Sequence, residues 1–156
     1  MSLVSRRASY GLRAVYRLAD LAEMGQSATI AELAESECLP RKYLEQVVLA
    51  LRQAGVIESR RGPGGGCRLA RPADAITVGD VVRALDGDPR PGHCLDAETG
   101  DHSDCPGCWG YSTCAIRELW GQLAGVIDRA LDAVTIADLR ARQRQLAGQQ
   151  TPDYQI

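Results

Sequence analysis

No run of about 18 apolar residues occurs in this 156-residue chain, so no segment is long and apolar enough to cross a membrane as a helix. The N-terminal stretch carries Arg6 and Arg7 but has neither an apolar h-region nor a cleavage site, so it does not read as a secretory signal. A cytoplasmic protein is the expectation. In that reducing compartment the six cysteines point to metal or redox chemistry before structural disulfides. Catalytic groupings are missing too. Both histidines, His93 and His102, sit in one cysteine-rich segment, and no Ser/His/Asp or paired-carboxylate constellation stands out, so no enzyme is expected. The glycine run Arg61-Gly62-Pro63-Gly64-Gly65-Gly66 lacks the Lys-Ser/Thr pair of a P-loop and opens no obvious helix, which argues against a nucleotide site.

What is present is a cysteine cluster. Cys94, Cys105, Cys108 and Cys114 follow the spacing C-x10-C-x2-C-x5-C, placing four of the six cysteines within 21 residues. Glycines, prolines and acids fill the same segment, so it cannot build a core of its own. Thiolates are soft ligands that suit zinc or iron–sulfur clusters. Cys38 and Cys67 each stand alone in a structured segment and read as small buried residues.

Length and an apolar fraction of 45% fit one ordinary globular domain, or a small domain with an appendage. Net charge is −2, which alone argues against a nucleic-acid partner, but residues 1–85 carry +3 and residues 86–156 carry −5. Within 41–71 there are seven basic residues against two acidic ones. Such asymmetry hints at polyanion binding, with a solvated basic face as the alternative.

The pattern predicts mainly α structure with a small β-hairpin. A helix spans about residues 6 to 24, with Leu12, Val15, Tyr16, Leu18, Ala19 and Ala22 inward and Gly25 as its stop. Thr29 and Glu32 form a capping box for a short helix ending near Ser36. A tight turn, Glu37-Cys38-Leu39, leads to a second helix opened by Pro40, which buries Tyr43 or Leu44, then Val47, Val48 and Leu51, and ends at Gly55. Two short helices so joined, the second basic at its start, make a helix-turn-helix candidate. Strand-like runs at Val56–Arg60 and Cys67–Ala70 flank the glycine run, giving a hairpin in the position of a wing. Thr77 and Asp80 cap one more helix. From about Ser112 to Val134 a long helix carries an apolar stripe from Ile116 to Val134 with little left to cover it, so a partner subunit is the natural cover. Packing back on its own domain is the alternative. Residues 135 onward open a last helix, and the sequence from about 147 reads as a frayed tail. The division is therefore 1–86, a winged helix-turn-helix domain; 87–112, a cysteine loop; 113–146, dimerisation helices; and 147–156, a tail.

These features resemble the IscR/NsrR/CymR family of bacterial winged-helix transcriptional regulators, over nearly the whole chain except the tail. The likeness rests on Tyr43-Leu44-Glu45-Gln46, the wing Arg61–Gly66, Val78-Gly79-Asp80-Val81-Val82, the loop cysteines and Thr135-Ile136-Ala137-Asp138-Leu139. It implies a homodimer, probing a palindromic operator in double-stranded DNA and acting as a repressor. It also implies a loop-bound iron–sulfur cluster that reports cluster supply, nitric oxide or redox status, although some members carry none. Three loop cysteines would ligate, best matched by Cys94, Cys108 and Cys114. The family's fourth ligands, a histidine after the third cysteine or an acid in the first helix, are replaced here by Arg117 and Ser9. Cys105 is then the leading fourth ligand, with His93 and His102 behind it, and both [2Fe-2S] and [4Fe-4S] remain open. Structural zinc on the four cysteines, a metal-free thiol switch, or an iron–sulfur protein without DNA contact are the alternatives.

For DNA, Arg41, Lys42, Glu45 and Gln46 lie in the first two turns of the second helix, where side chains reach base edges in a major groove. The resemblance puts Lys42 and Glu45 in base-reading positions, Arg61 in the minor groove and Arg60 on a phosphate; Tyr43 and Gly64 complete the expected contact set. Arg41 and Lys42 could instead bind phosphate alone.

Overall fold

The computed structural model describes residues 4–60, 62, 65–91, 95 and 114–149. Helix α1 (Arg6–Glu23) is followed by α2 (Ile30–Ser36), α3 (Arg41–Gln53), strands β1 (Ile57–Arg60) and β2 (Gly66–Leu69), a 3-10 turn Ala73–Ala75, α4 (Val78–Asp86), α5 (Ala115–Asp132) and α6 (Ile136–Gln149). This is the expected winged helix-turn-helix with a long helix after it. The 3-10 turn has no counterpart in the sequence reading. Helix α6 continues to Gln149, taking in the first three residues of the expected tail.

Local chemistry sets the helix ends. Thr29 accepts from the Glu32 amide at 3.2 Å and its own amide donates to the Glu32 carboxylate at 2.7 Å. Each bond satisfies a donor that the first helical turn leaves without a partner. Thr77 and Asp80 repeat the device on α4, and Thr135 with Asp138 repeats it on α6. Helices α1 and α3 both close on a left-handed glycine, Gly25 and Gly55. In each case the next amide reaches back to the carbonyl five residues earlier, Gln26 to Leu21 and Val56 to Leu51, both at 2.9 Å. This is the Schellman closure, which a residue with a side chain adopts only at a cost. Pro40 stands just outside α3 as its cap residue rather than inside its first turn.

The sequence contains no phenylalanine, and the core is correspondingly aliphatic. Leu18, Leu33, Leu44, Leu51, Ile57, Ile76 and Ile136 are each under 2% exposed or close to it, with Val15, Val47, Val56 and Val81 between them. Helix α1 runs through the centre, packed against α3, α4, α6 and β2. Its inward face is Ala8, Gly11, Ala14, Val15, Leu18 and Ala19, whereas Ala22 is exposed. The small residues let α4 come close: a Cβ at Gly11 would collide with the Leu85 side chain. The wing is a two-stranded antiparallel hairpin with Ile57 opposite Leu69 and Arg60 opposite Gly66. It is tied to the domain by Ala28, which exchanges backbone hydrogen bonds with Cys67 at 2.7 and 3.2 Å.

Helices α5 and α6 join this domain through a few specific links. Backbone bonds run from Val78 to Val134 at 2.8 Å and from Ile136 to Ile76 at 2.9 Å. Arg83 on α4 pairs with Asp128 at 3.6 Å and with Asp132 on α5, and Asp132 holds its guanidinium in the charged form above its ordinary range. Arg140 on α6 is 7% exposed and binds Asp20 at 2.7 Å and Glu23 at 2.8 Å on α1. No helix among the described residues is long and apolar enough to cross a membrane.

Candidate nucleic-acid interface and metal loop

Helix α3 presents one buried and one open side. Leu44, Val47, Val48 and Leu51 are buried and pin it to the core, so its outer face is rigidly held. Arg41, Lys42, Glu45 and Gln46 all lie exposed at its N-terminal end, which is how a recognition helix is built. Arg41 donates to Glu45 at 3.2 Å, one turn on, with side chains 68% and 48% exposed. Pairs of this kind contribute only about 0.3–0.5 kcal/mol, so either partner leaves the pair at little cost. Tyr43 is half-buried and meets Tyr10 of α1 edge to face, with ring centroids 5.6 Å apart at 89°. Its ring therefore braces α3 against α1, and Leu44 takes the buried position that the sequence left open between the two.

The turn before α3 is held from α1. Arg13 donates to the Glu37 carbonyl at 2.8 Å and to its carboxylate at 3.0 Å, and the Leu39 amide bonds the Ala34 carbonyl at 2.8 Å. Cys38 adopts φ 54° in this turn and is exposed. The sequence reading expected it buried; the left-handed backbone turns its side chain outward while Leu39 fills the core instead. Cys67 is buried as expected, with Sγ 3.7 Å from the Ser59 hydroxyl.

In the wing, Arg60 ends β1 and is exposed. Arg61 and Gly64 lie outside the described residues. Glu58 and Arg68 pair across the strands on the exposed face, stiffening the hairpin below its tip. A Cβ on Gly66 would lie 2.7 Å from the Ala28 carbonyl oxygen, so at least one glycine of the run serves close backbone approach inside the protein.

Of the metal candidates, Cys94, Cys105 and Cys108, together with His93 and His102, lie outside the described residues. Cys114 is described: it is the N-cap residue of α5, half-buried, and its thiol makes no capping hydrogen bond. Unlike Thr29 or Thr77, its side chain does not cap its helix, and a thiolate is a soft metal ligand. Among the described residues no group of three or more His, Cys, Asp or Glu side chains is gathered to hold a metal. Near the start of the segment Arg90 donates to the carbonyl of buried Leu95 at 3.3 Å.

The apolar stripe of α5 divides in two. Ala124 is buried, Ile127 and Trp120 are half-buried, and Leu131 packs on the core. Ile116, Leu119, Leu123 and Val126 remain 63%, 51%, 39% and 53% exposed. Their spacing of three, four and three residues is that of a two-helix seam. Residues the sequence reading passed over include Arg13, Arg83, Arg140, and Ser5, whose amide and hydroxyl both donate to Asp86 at 2.8 and 2.5 Å. Their partners are distant in sequence, so no local pattern could have singled them out.

Residues 4–142 match the family profile described as Rrf2, iron-dependent transcriptional regulator. The protein rrf2 of Nitratidesulfovibrio vulgaris is 38% identical over 138 residues, covering 87% of this chain and 85% of its own. Among solved structures, T. potens IscR superposes with a TM-score of 0.71 at 28% identity, covering 97% of this chain and 93% of that one. CymR, the global cysteine regulator of B. subtilis, gives 0.66 at 32% identity, covering 91% and 98%.

Proposed function

The chain belongs to the Rrf2 family of transcriptional regulators, and from that membership we propose a homodimeric repressor that binds a palindromic operator and senses iron–sulfur, nitric oxide or redox status through its cysteine loop. It is a DNA-binding regulator and not an enzyme. The observation that carries the finer reading is the seam on α5. It begins at Ile116, two residues after Cys114, and its apolar side chains stay exposed in a single chain. A second copy related by two-fold symmetry would cover it, and the two recognition helices would then meet two half-sites.

In this reading Arg41, Lys42, Glu45 and Gln46 of each protomer face base edges, Arg60 meets a phosphate, and Arg61 and Gly64 approach the minor groove. Arg41 and Lys42 donate to guanine or adenine acceptors, and Glu45 accepts from a cytosine amine. Tyr43 acts through its ring contact with Tyr10, holding the helix in register. Cys94, Cys105, Cys108 and Cys114 form the all-thiolate set for an iron–sulfur cluster, which suits a Cys114 thiol that does not cap its helix and the iron-dependent description of the family. Such a cluster would supply a ligand sensitive to oxidation and nitric oxide. The protein's part is to hold Cys114 at the head of the seam, so that the state of the loop bears on how two copies are set against each other.

The test is anaerobic purification with a visible spectrum and iron, sulfide and zinc analysis, followed by footprinting of the upstream region with loaded and metal-free protein. A protein that stays colourless and iron-free after reconstitution would sink the cluster. Stoichiometric zinc would select a structural site instead. The likeness to CymR supports a second reading, a metal-free thiol switch; iron-free protein whose DNA affinity changes on oxidation, with loss of countable thiols, would establish it.

A further inference from the structure

Beside the base-reading face of α3 lies a groove of about 520 Å³, lined by Arg6 and Tyr10 of α1 and by Pro40, Lys42, Tyr43 and Gln46. No acidic residue lines it, and the first turn of α1 carries none. Of the other arginines, Arg13, Arg41, Arg68, Arg71 and Arg83 each hold a carboxylate. Arg6 and Lys42 hold none among the described residues, and both are exposed. The groove thus combines two uncommitted cations with two phenol rings and admits an anion.

We propose that this groove seats a backbone phosphodiester of the DNA strand that borders the recognition helix, with Arg6 as the principal donor and the Tyr10 hydroxyl beside it. The inference rests on α3 entering a major groove. A helix with its side chains is about 10–12 Å across and fills a major groove about 12 Å wide. Groups flush with the flank of α3 therefore meet the groove wall, and that wall is phosphate. Lys42 and Gln46, one turn apart, mark where the base-reading face of α3 gives way to this flank, whereas Arg41 and Glu45 pair on the neighbouring side. The guanidinium fork matches phosphate oxygens. The seat is also fixed before DNA arrives. Tyr10 is locked on Tyr43, and Ser5, next to Arg6, is held by two hydrogen bonds to Asp86. The walls are thus set in advance, and the Arg6 side chain is what remains to be ordered on binding. Arg6 would set the register of α3 while reading no base.

The experiment measures affinity of the full-length protein for two duplexes, one selected by the wild type from a random pool and one of unselected sequence, between 50 and 200 mM salt. Each phosphate contact contributes about 0.9 to the slope of log K against log salt. Arg6→Ala should weaken binding to both duplexes by the same factor, between about tenfold and a hundredfold at 0.1 M salt for a dimer, and flatten the slope by about two. Arg6→Lys should keep the slope. Unchanged affinity and slope in Arg6→Ala would overturn the seat. So would a loss confined to the selected duplex, which would make Arg6 a base reader. Should the wild type bind neither duplex, the DNA reading of α3 falls together with the seat; a wild type that selects a sequence while Arg6→Ala behaves identically removes the seat alone. An unchanged thermal melt verifies that the exposed substitution leaves the fold intact.

Discussion

The seam on α5 makes the most demanding prediction, through Leu119→Asp. Leu119 is 51% exposed in the single chain, so pairing with a second copy would bury about half a leucine, worth roughly 1 kcal/mol per protomer. Aspartate forfeits that and brings a carboxylate into apolar contact, at a cost of several kcal/mol per ion after relaxation. Two-fold symmetry applies both effects twice. Even with partial escape to solvent, the dimer should lose about 4 kcal/mol, a factor of roughly 1,000 in its dissociation constant. Sedimentation equilibrium from nanomolar to micromolar protein reads this directly. Leu49→Asp is the control, because Leu49 is 53% exposed on α3, away from the seam. It has the same chemistry and should leave association unchanged. The C-terminal half of α5 stays fastened through Arg83 and Asp132, so the monomeric variant should still melt cooperatively. A dissociation constant for Leu119→Asp within threefold of the wild type would refute the seam as the contact between copies.

Arg140→Met keeps volume but removes the bonds from α6 to Asp20 and Glu23; since those acids are 30% and 55% exposed, the loss should be about 1–2 kcal/mol rather than the 3–5 of a fully buried pair, seen as a lower thermal midpoint. Acid should destabilise the protein below about pH 4.5: the Arg140 hydrogen bond holds Glu23 below its ordinary 4.5, the Thr29 amide does the same for Glu32, and the Thr135 hydroxyl holds Asp138 below 3.8. These groups bind more protons unfolded than folded, so their contribution is complete above the unfolded values and is lost as pH falls through the folded ones; urea midpoints from pH 3 to 7 should show this, with a flatter profile in Glu32→Gln. Gly66→Ala would set a Cβ 2.7 Å from the Ala28 carbonyl oxygen, forcing the wing off its anchor at a cost of about 1–3 kcal/mol, and amide exchange at Cys67 should quicken relative to the α3 core.

Where the sequence was readable, the reason was local. Thr29 with Glu32 and Thr77 with Asp80 place acceptor and donor three residues apart, and the helices begin there. Gly25 and Gly55 sit where the chain must turn left-handed. What escaped is long-range. The inward face of α1 is rotated toward Ala8, Gly11 and Ala14 because α4 packs closely there, so hydrophobic weight alone chose Ala22 wrongly. Cys38 faces out because of one backbone angle that composition does not encode. The stripe of α5 looked uniform, yet only its packing on α4 separates the half that the chain covers from the half that it leaves open. Arg140 and Asp20 are 120 residues apart, and Ser5 and Asp86 are 81 apart; no periodicity links such pairs. The expected DNA residues of α3 share one exposed end, whereas of the four cysteines only Cys114 falls within the described residues.

Helix α4 connects these parts. Nine residues long, it spans only about 13 Å at 1.5 Å per residue, yet it holds three neighbours. Asp86 at its end clasps Ser5, beside the α1 groove and the ring that braces α3. Arg83, one turn earlier, grips Asp128 and Asp132 of α5. Gly79 leaves room for the Asp132 carboxylate, which a Cβ there would strike. The cysteine segment leaves from the end of α4 and returns at Cys114, the head of α5. Within the proposed function, a change of loop state that moved these two ends would load the Asp86 clasp or the Arg83 clamp. Packed elements respond to such a load by switching between discrete settings rather than by bending. Within the proposed function, a bound group at the loop would influence DNA affinity through a preference between two settings of these elements, and the bonds of Arg83 and Asp86 are those that join the loop's ends to α5 and α1.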